Sequence, residues 1–361
     1  MTTLRIGIAI LATATACSNA TSAHGDATTG DAAHAGDAAP LTNGVSTLAG
    51  AADSGDVDGD RATARFANPV NVRLGPDGTL YVADFDNGRI RTVDPAGNVT
   101  TLLSQIGFAR PFGLAFGSAG VLYVETDNDA QGAHSTTSGT IWRLDIAARA
   151  ATVIATGLGR PRGLAVLADG QLVFTDYAHH VIVRVDPSSG TQHALAGVFD
   201  APGYVDGAGT AARFSAPYGI AVRADGKLVV ADNGNHRVRL VDPASGATST
   251  LAGTGVAGYA DGALEAAEFD LPQAIAIDAA DDIFVTDTNN YRVRRIRGTA
   301  VDTVAGNGMA GFRDADDRLA AEFYGLEGLA VSPDGTQLDV ADGNRGDGEP
   351  YNRVRRVELQ P

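Results

Sequence analysis

One pattern recurs along this chain at intervals of 41 to 56 residues, and this repetition constrains the fold more than any other feature. Each copy has an apolar run, an Asp-Gly or similar turn, and a second apolar run that closes on an acidic residue. The closing acids are Asp84, Glu125, Asp176, Asp232, Asp287 and Asp342. The chain therefore holds six copies of one supersecondary unit.

The fourth copy shows how a single unit folds. Gly219–Val222 and Leu228–Ala231 flank the turn Asp225-Gly226, which predicts a hairpin. Arg237–Val241 alternates arginine with apolar residues and predicts a third strand with an exposed face, and Thr248–Ala252 predicts a fourth. Repeated four-stranded antiparallel units predict an all-β fold, a six-bladed β-propeller.

The two ends of the repeat region predict how the ring closes. The last copy stops after its third strand, Arg353–Leu359, whereas Val45–Gly50 is an isolated fourth strand at the start. We expect the N-terminal strand to complete the last blade, which removes open sheet edges.

The motifs also resemble a known family. The fourth copy contains P-x-G-I-A-V, D-G-x-L-V-V-A-D, N-H-R-V-R and T-L-A-G between residues 217 and 253. These motifs are similar to NHL repeats, and the resemblance covers residues 44–361. It implies an NHL-repeat propeller of the bacterial secreted or lipoprotein type.

The linkers between blades share a second pattern. Gly55–Phe66 aligns with Gly203–Phe214, Gly258–Phe269 and Gly311–Phe323. Asp58, Asp206, Asp261 and Asp314 are equivalent in this alignment, and we expect each to cap a helical turn and the final Phe to wedge between blades. The acids near Asp58 also resemble a calcium loop, but Arg65 stands where the bidentate Glu belongs.

The N-terminal region predicts export. Residues 1–17 read as a short signal peptide, and Ala14-Thr15-Ala16-Cys17 resembles the lipobox of bacterial lipoproteins. This resemblance implies lipidation of Cys17 and attachment to the outer membrane or cell surface, with simple secretion as the alternative. Residues 18–43 lack large apolar side chains and predict a flexible tether.

Charge and cysteine content limit the partners. The net charge of −16 disfavours nucleic acid, and we expect membrane contact only through the lipid anchor. The only cysteine is Cys17, so cysteine catalysis and thiolate zinc sites are excluded elsewhere. We expect a monomer.

We name the four strands of each unit a to d in chain order. The candidate binding residues lie where the b–c turns and the linkers between blades share one face of the ring. They are Asp84, Glu125, Asp127, Asp129, His134, Asp176, His180, Asp232, His236, Asp287 and Asp342. The closing acids have two interpretations. Each can pair with arginine or backbone donors, as Asp232 with Arg237, or the six can form a cation or polar-ligand ring at the channel mouth.

Two long b–c loops depart from the repeat. In blade 2, Glu125 replaces the usual Asp and the loop expands to Thr126–Gly139; in blade 6 the loop spans Gly343–Asn352. Long loops on a binding face are often functional, so we expect at least one to contact a ligand.

Two function classes follow. The first is an extracytoplasmic module at the cell envelope that binds a protein, a peptide or a glycan. The second is a metal-dependent hydrolase or lyase with Ca²⁺ or Zn²⁺ at the channel mouth. His180 and His236 resemble the zinc-binding histidines of amidating lyases, and the acidic ring resembles the calcium channel of lactonase-like propellers. No Gly-x-Ser-x-Gly elbow or phosphate loop is present.

Overall fold

The computed structural model describes residues 44–359, and these residues form an all-β ring of six antiparallel sheets. The signal peptide, lipidation at Cys17 and the tether lie outside the described residues. Within 44–359, no helix has the length and apolar character needed to cross a bilayer.

The strands fall into six blades. The chain opens with β1 (Gly44–Ala51). Blade 1 contains β2 (Pro69–Leu74), β3 (Leu80–Asp84), β4 (Arg89–Val93) and β5 (Val99–Leu103). Blade 2 contains β6 (Pro111–Phe116), β7 (Leu122–Thr126), β8 (Thr140–Asp145) and β9 (Ala150–Thr156). Blade 3 contains β10 (Pro161–Val166), β11 (Leu172–Asp176), β12 (Val181–Val185) and β13 (Gln192–Gly197).

Blades 4 and 5 each carry a fifth, two-residue strand at the outer edge. Blade 4 contains β14 (Gly207–Ala208), β15 (Pro217–Val222), β16 (Leu228–Asp232), β17 (Arg237–Val241) and β18 (Ala247–Ala252). Blade 5 contains β19 (Gly262–Ala263), β20 (Pro272–Ile277), β21 (Ile283–Asp287), β22 (Arg292–Arg297) and β23 (Ala300–Ala305). Blade 6 contains β24 (Gly325–Val331), β25 (Gln337–Gly343) and β26 (Asn352–Glu358). Single 3₁₀ turns span Ser118–Gly120, Gly209–Ala211, Asn233–Asn235, Thr288–Asn290 and Arg318–Ala320.

The N-terminal strand closes the ring as predicted. β1 pairs antiparallel with β26, with Val45 opposite Val357, and completes blade 6. The innermost strands β2, β6, β10, β15, β20 and β24 contact one another around a central channel.

The linker phenylalanines wedge between blades, as the sequence predicts. Phe66, Phe214, Phe269 and Phe323 are fully buried. Phe214, for example, packs with Val173 of blade 3 and Val230 of blade 4. Burial of such a ring joins adjacent sheets without hydrogen bonds between them.

The arginines of the third strands contradict the prediction of an exposed face. Arg91, Arg239, Arg294 and Arg355 are the largest fully buried side chains. Arg239 binds Asp232 at 2.6 Å, binds Asp206 at 2.6 Å, and lies 5.1 Å from the centre of the Phe214 ring. A strand that alternates arginine with apolar residues is expected to bury one face. The four arginines are buried because each binds two carboxylates.

The linker aspartates do not cap helical turns as expected. Asp58 instead binds Arg91 at 2.6 Å and accepts from the Thr101 backbone N at 2.9 Å. Asp60, two residues later, accepts from the backbone N of Thr63 at 2.9 Å. The repeated Asp is therefore an ion-pair partner of the buried arginine.

The register of blade 2 corrects the assignment of Glu125. Pro69 pairs with Asp84, and at the same register Pro111 pairs with Thr126. Thr126 thus occupies the closing position, and Glu125 precedes it and points to the opposite face.

A candidate ligand site at the channel mouth

The second repeat position of each innermost strand varies between blades, although its neighbours hardly change. The strands read P-V-N, P-F-G, P-R-G, P-Y-G, P-Q-A and L-E-G at their first three repeat positions. The variable residues are Val70, Phe112, Arg162, Tyr218, Gln273 and Glu327. They form a ring where the channel opens onto the face that carries the b–c turns.

A small cavity of about 30 Å³ lies inside this ring. All six innermost strands line it. Phe112, Arg162, Tyr218 and Glu327 provide its aromatic and charged surface, and Leu114 and Leu329 part of its apolar surface. Concave sites with apolar walls and a few polar groups are typical of ligand pockets.

Arg162 supplies one positive charge of this site. It is 5% exposed, and its Nη1 and Nη2 donate to the two carboxylate oxygens of Asp127 at 2.5 and 3.1 Å. The guanidinium also lies 4.4 Å from the centre of the Phe112 ring and 5.9 Å from that of Tyr218. Burial opposes ionisation of Asp127, but Arg162 and Arg160 outweigh it and hold the pKa of Asp127 below its ordinary value.

Glu327 is the negative charge of this site. It lies in blade 6, three blades from Arg162 and therefore across the channel. Burial raises the pKa of Glu327 to about 7, against the attraction of Arg162 and Arg345. The side chain is 9% exposed, and no residue in the range 44–359 hydrogen-bonds its carboxylate.

Both long loops reach the channel mouth. Asp127, which holds Arg162, belongs to the blade 2 loop. In the blade 6 loop, Arg345 binds Asn289 at 2.8 Å, and Asp347 raises the pKa of Glu327 through its charge. Ligand contact by either loop stays a prediction.

The five closing aspartates are saturated by protein donors. Asp232 accepts from the Ser215 backbone N at 2.8 Å, from Asn235 at 2.8 Å and from Arg239 at 2.6 Å. Its arginine partner is therefore Arg239, not Arg237. Asp84, Asp287 and Asp342 make equivalent bonds to Arg91, Arg294 and Arg355. Asp176, in a blade whose third strand carries no buried arginine, binds His179 Nδ1 at 2.7 Å.

The histidines and the remaining loop acid have local partners. His180 Nδ1 accepts from the Ala216 backbone N at 2.9 Å, and His236 Nδ1 accepts from that of Leu271 at 3.2 Å. Asp129 accepts from Ala133 N at 2.8 Å, and His134 is exposed on the blade 2 loop. In the part of the chain that the structure describes, no three His, Cys, Asp or Glu side chains are grouped to hold a metal.

Glu125 is buried without a partner. Neither carboxylate oxygen has a hydrogen bond, and a Cβ on Gly113 would lie 2.0 Å from Oε2, so the carboxyl rests on glycine backbone. Burial raises the pKa of Glu125 well above its ordinary value, while Arg162 opposes this shift. Burial therefore favours the protonated form of Glu125.

Comparison with known proteins supports the repeat assignment. The NHL repeat profile matches residues 214–239 and 269–296, in blades 4 and 5. Blades 4 and 5 of this six-bladed β-propeller are NHL repeats.

Curated relatives of this chain are longer than the region that matches it. NHL repeat-containing protein 2 from Gallus gallus is 26% identical over 303 residues, which cover 68% of this chain and 41% of that protein. The chain spans less than half the length of the curated relatives it matches.

Solved structures share the fold. An auxiliary nutrient binding protein from Bacteroides thetaiotaomicron has a TM-score of 0.68 and 17% identity, covering 88% of this chain and 76% of that one. A gluconolactonase from Xanthomonas campestris has a TM-score of 0.57 and 16% identity, covering 88% and 89%. At these identities the likeness shows the fold alone.

The NHL propeller offers a test of the Glu125 assignment. Thr175 and Thr286 occupy the equivalent position in blades 3 and 5 and accept from the backbone N of the innermost strand, at 2.9 and 2.7 Å. Glu125→Thr would place a hydroxyl opposite Gly113 N, and we expect it to raise the free energy of unfolding by about 1–3 kcal/mol at pH 8.

The pH dependence has a defined sign. Because the folded-state pKa of Glu125 is raised, its stabilising contribution is complete below about 4.5 and is lost as the pH rises. Urea unfolding at pH 5 and pH 8 should therefore show a larger gain for Glu125→Thr at pH 8. An equal gain at both pH values, or a loss, would contradict this assignment.

Proposed function

We propose that this NHL propeller is an extracytoplasmic binding module of the cell envelope that takes one polar group of a glycan, peptide or protein into its channel mouth. The carboxylate of Glu327 carries the proposal. It lines a cavity, faces Arg162 across the channel and has no partner among the described residues. Buried polar groups normally have hydrogen-bond partners, so one left open in a cavity favours a ligand or bound water.

Aromatic residues of the ring strengthen the proposal. Phe112 and Tyr218 line the cavity beside Glu327, whose carboxylate can accept hydrogen bonds. This combination suits a group that bears donors on an apolar frame, such as a sugar unit or a polar side chain.

Different observations support the proposed location of the protein and its proposed binding role. The signal-like residues 1–17 and the lipobox-like Cys17 support export and anchoring. The auxiliary nutrient binding protein has the same fold, so a binding role is one that this architecture can carry.

The metal-dependent alternative has less support. A zinc or calcium site of the proposed kind needs several convergent ligands, and residues 44–359 contain no such group of three. His180 and His236 already accept backbone N–H groups. The shared fold with a gluconolactonase adds no site residue.

Glycan and peptide arrays followed by calorimetry would test the proposal. We expect a ligand whose affinity falls at least about 10-fold in Glu327→Leu. The matched control is Glu265→Leu, an exposed glutamate of a linker between blades, which should leave affinity unchanged. A ligand that binds both variants like the wild type would place the site elsewhere.

A further inference from the structure

The innermost strand of blade 1 departs from the repeat at two cavity positions. By strand register, Arg73 stands opposite Tyr81 as Ala115 stands opposite Tyr123. The other five blades carry alanine there: Ala115, Ala165, Ala221, Ala276 and Ala330. Asn71 likewise replaces the small residues Gly113, Gly163, Gly219, Ala274 and Gly328. Blade 1 thus introduces two hydrogen-bond donors where every other blade has only backbone or a methyl group.

Both departures face the same cavity. Asn71 and Arg73 line it together with Arg162 and Glu327. The Asn71 Oδ1 accepts from the Val72 backbone N at 2.8 Å, which leaves its side-chain amide N–H groups as donors. The amide is therefore oriented by the backbone next to it.

Arg73 differs from the other arginine of the channel in its partners. Arg162 is bound by Asp127, whereas no acidic residue of the described chain lies within ion-pair distance of Arg73. Burial alone lowers the pKa of Arg73, with no carboxylate opposing it. The Arg73 side chain is partly exposed. Partial removal of a guanidinium from water without a counter-charge is unfavourable, and the alanine of the other five blades shows that the repeat does not require an arginine here.

We propose that the channel binds a small organic carboxylate through the Arg73 guanidinium and the Asn71 amide. The proposal rests on the proposed function because it uses the same cavity, and it adds a carboxylate to the ligand whose hydrogen-bond donors Glu327 accepts. Guanidinium and amide donors together match the acceptor oxygens of a carboxylate. The net charge of −16 would repel such a ligand, so the guanidinium of Arg73, which has no ion-pair partner among the described residues, is where it would be held.

Glu327 makes binding of this ligand depend on pH. The charged and titratable groups that act on it are Arg162, Arg345, Asp86, Asp347 and Tyr218. Below a pH of about 7, Glu327 is mostly protonated and no longer repels a carboxylate in the cavity. Affinity should therefore rise as the pH falls from 8 to 6, and Glu327→Gln should remove this dependence.

Calorimetry with matched anionic and neutral probes would test the proposal. Gluconate and succinate are compared with glucose and succinamide. We expect the two carboxylates to bind and Arg73→Ala to weaken them by about 10- to 100-fold, the effect of losing a charged hydrogen bond. The matched control is Arg143→Ala, which removes the same charge from an exposed position on strand β8 of blade 2. It should change the affinity less than about 2-fold.

A stability measurement would show whether Arg73→Ala still folds. Because alanine is the residue of the other five blades, the melting temperature without ligand should rise. Gluconate should raise it further only in the wild type.

Two results would overturn the carboxylate proposal. One is equal binding of carboxylates by Arg73→Ala and the wild type; the other is no carboxylate binding by the wild type while an array ligand still depends on Glu327. In the second case the proposed function stands. Absence of both carboxylate binding and any Glu327-dependent ligand would overturn both.

Discussion

Replacing Arg239 by leucine is expected to lower the free energy of unfolding by about 3–5 kcal/mol. Leucine leaves Asp232 fully buried without its 2.6 Å ion-pair partner and leaves Asp206 without its link to strand β17. The guanidinium contact with the Phe214 ring is lost as well. Urea unfolding followed by circular dichroism would measure the loss.

Arg237 on the same strand is the matched control. It is half-buried at the surface, lies 3.8 Å from the centre of the Tyr204 ring and donates to backbone carbonyls. Arg237→Leu should cost only about 1 kcal/mol. Equal losses for the two variants would show that the buried arginine network does not hold the blade together.

Replacing Asp127 by asparagine is expected to cost about 3 kcal/mol or more. Asp127 is fully buried and is the carboxylate that neutralises Arg162 inside the channel. The amide of asparagine retains the shape of the carboxylate but not its charge. Arg162 would then stay buried without its ion-pair partner, and Glu327 across the channel would be the acid that faces it. We expect a lower urea midpoint and, for any channel ligand, altered affinity.

Asp129 provides the control in the same loop. Its carboxylate accepts two backbone N–H groups of a local turn, from Gln131 and Ala133. Asp129→Asn should cost about 1 kcal/mol or less and leave ligand affinity unchanged. If Asp127→Asn behaves like Asp129→Asn, the Asp127–Arg162 pair does not organise the channel mouth.

The architecture was predictable because it is repeated. Strand lengths, the closure of blade 6 by β1 and the wedged phenylalanines all follow from patterns that recur along the chain. The burial of Arg239 was not predictable, because its second acidic partner, Asp206, lies 33 residues away in a linker. A strand that alternates arginine with apolar residues reads as half exposed unless that distant carboxylate is known.

The candidate site was only partly predictable. Asp127 was among the sequence candidates, but the long loop hid the register of blade 2 and made Glu125 look like a closing acid. Arg162 and Glu327 were missed because each stands once, inside a strand. The signal that could have found them is the variable residue after the first position of each innermost strand, where the repeat itself requires no particular side chain.

The claim that the channel mouth binds the ligand is tested most directly by a crystal structure of the propeller with a ligand found by the arrays. The account predicts ligand density within hydrogen-bonding distance of Glu327, inside the ring that contains Arg162 and Tyr218. Density on the outer linkers, with the channel occupied only by water, would contradict it.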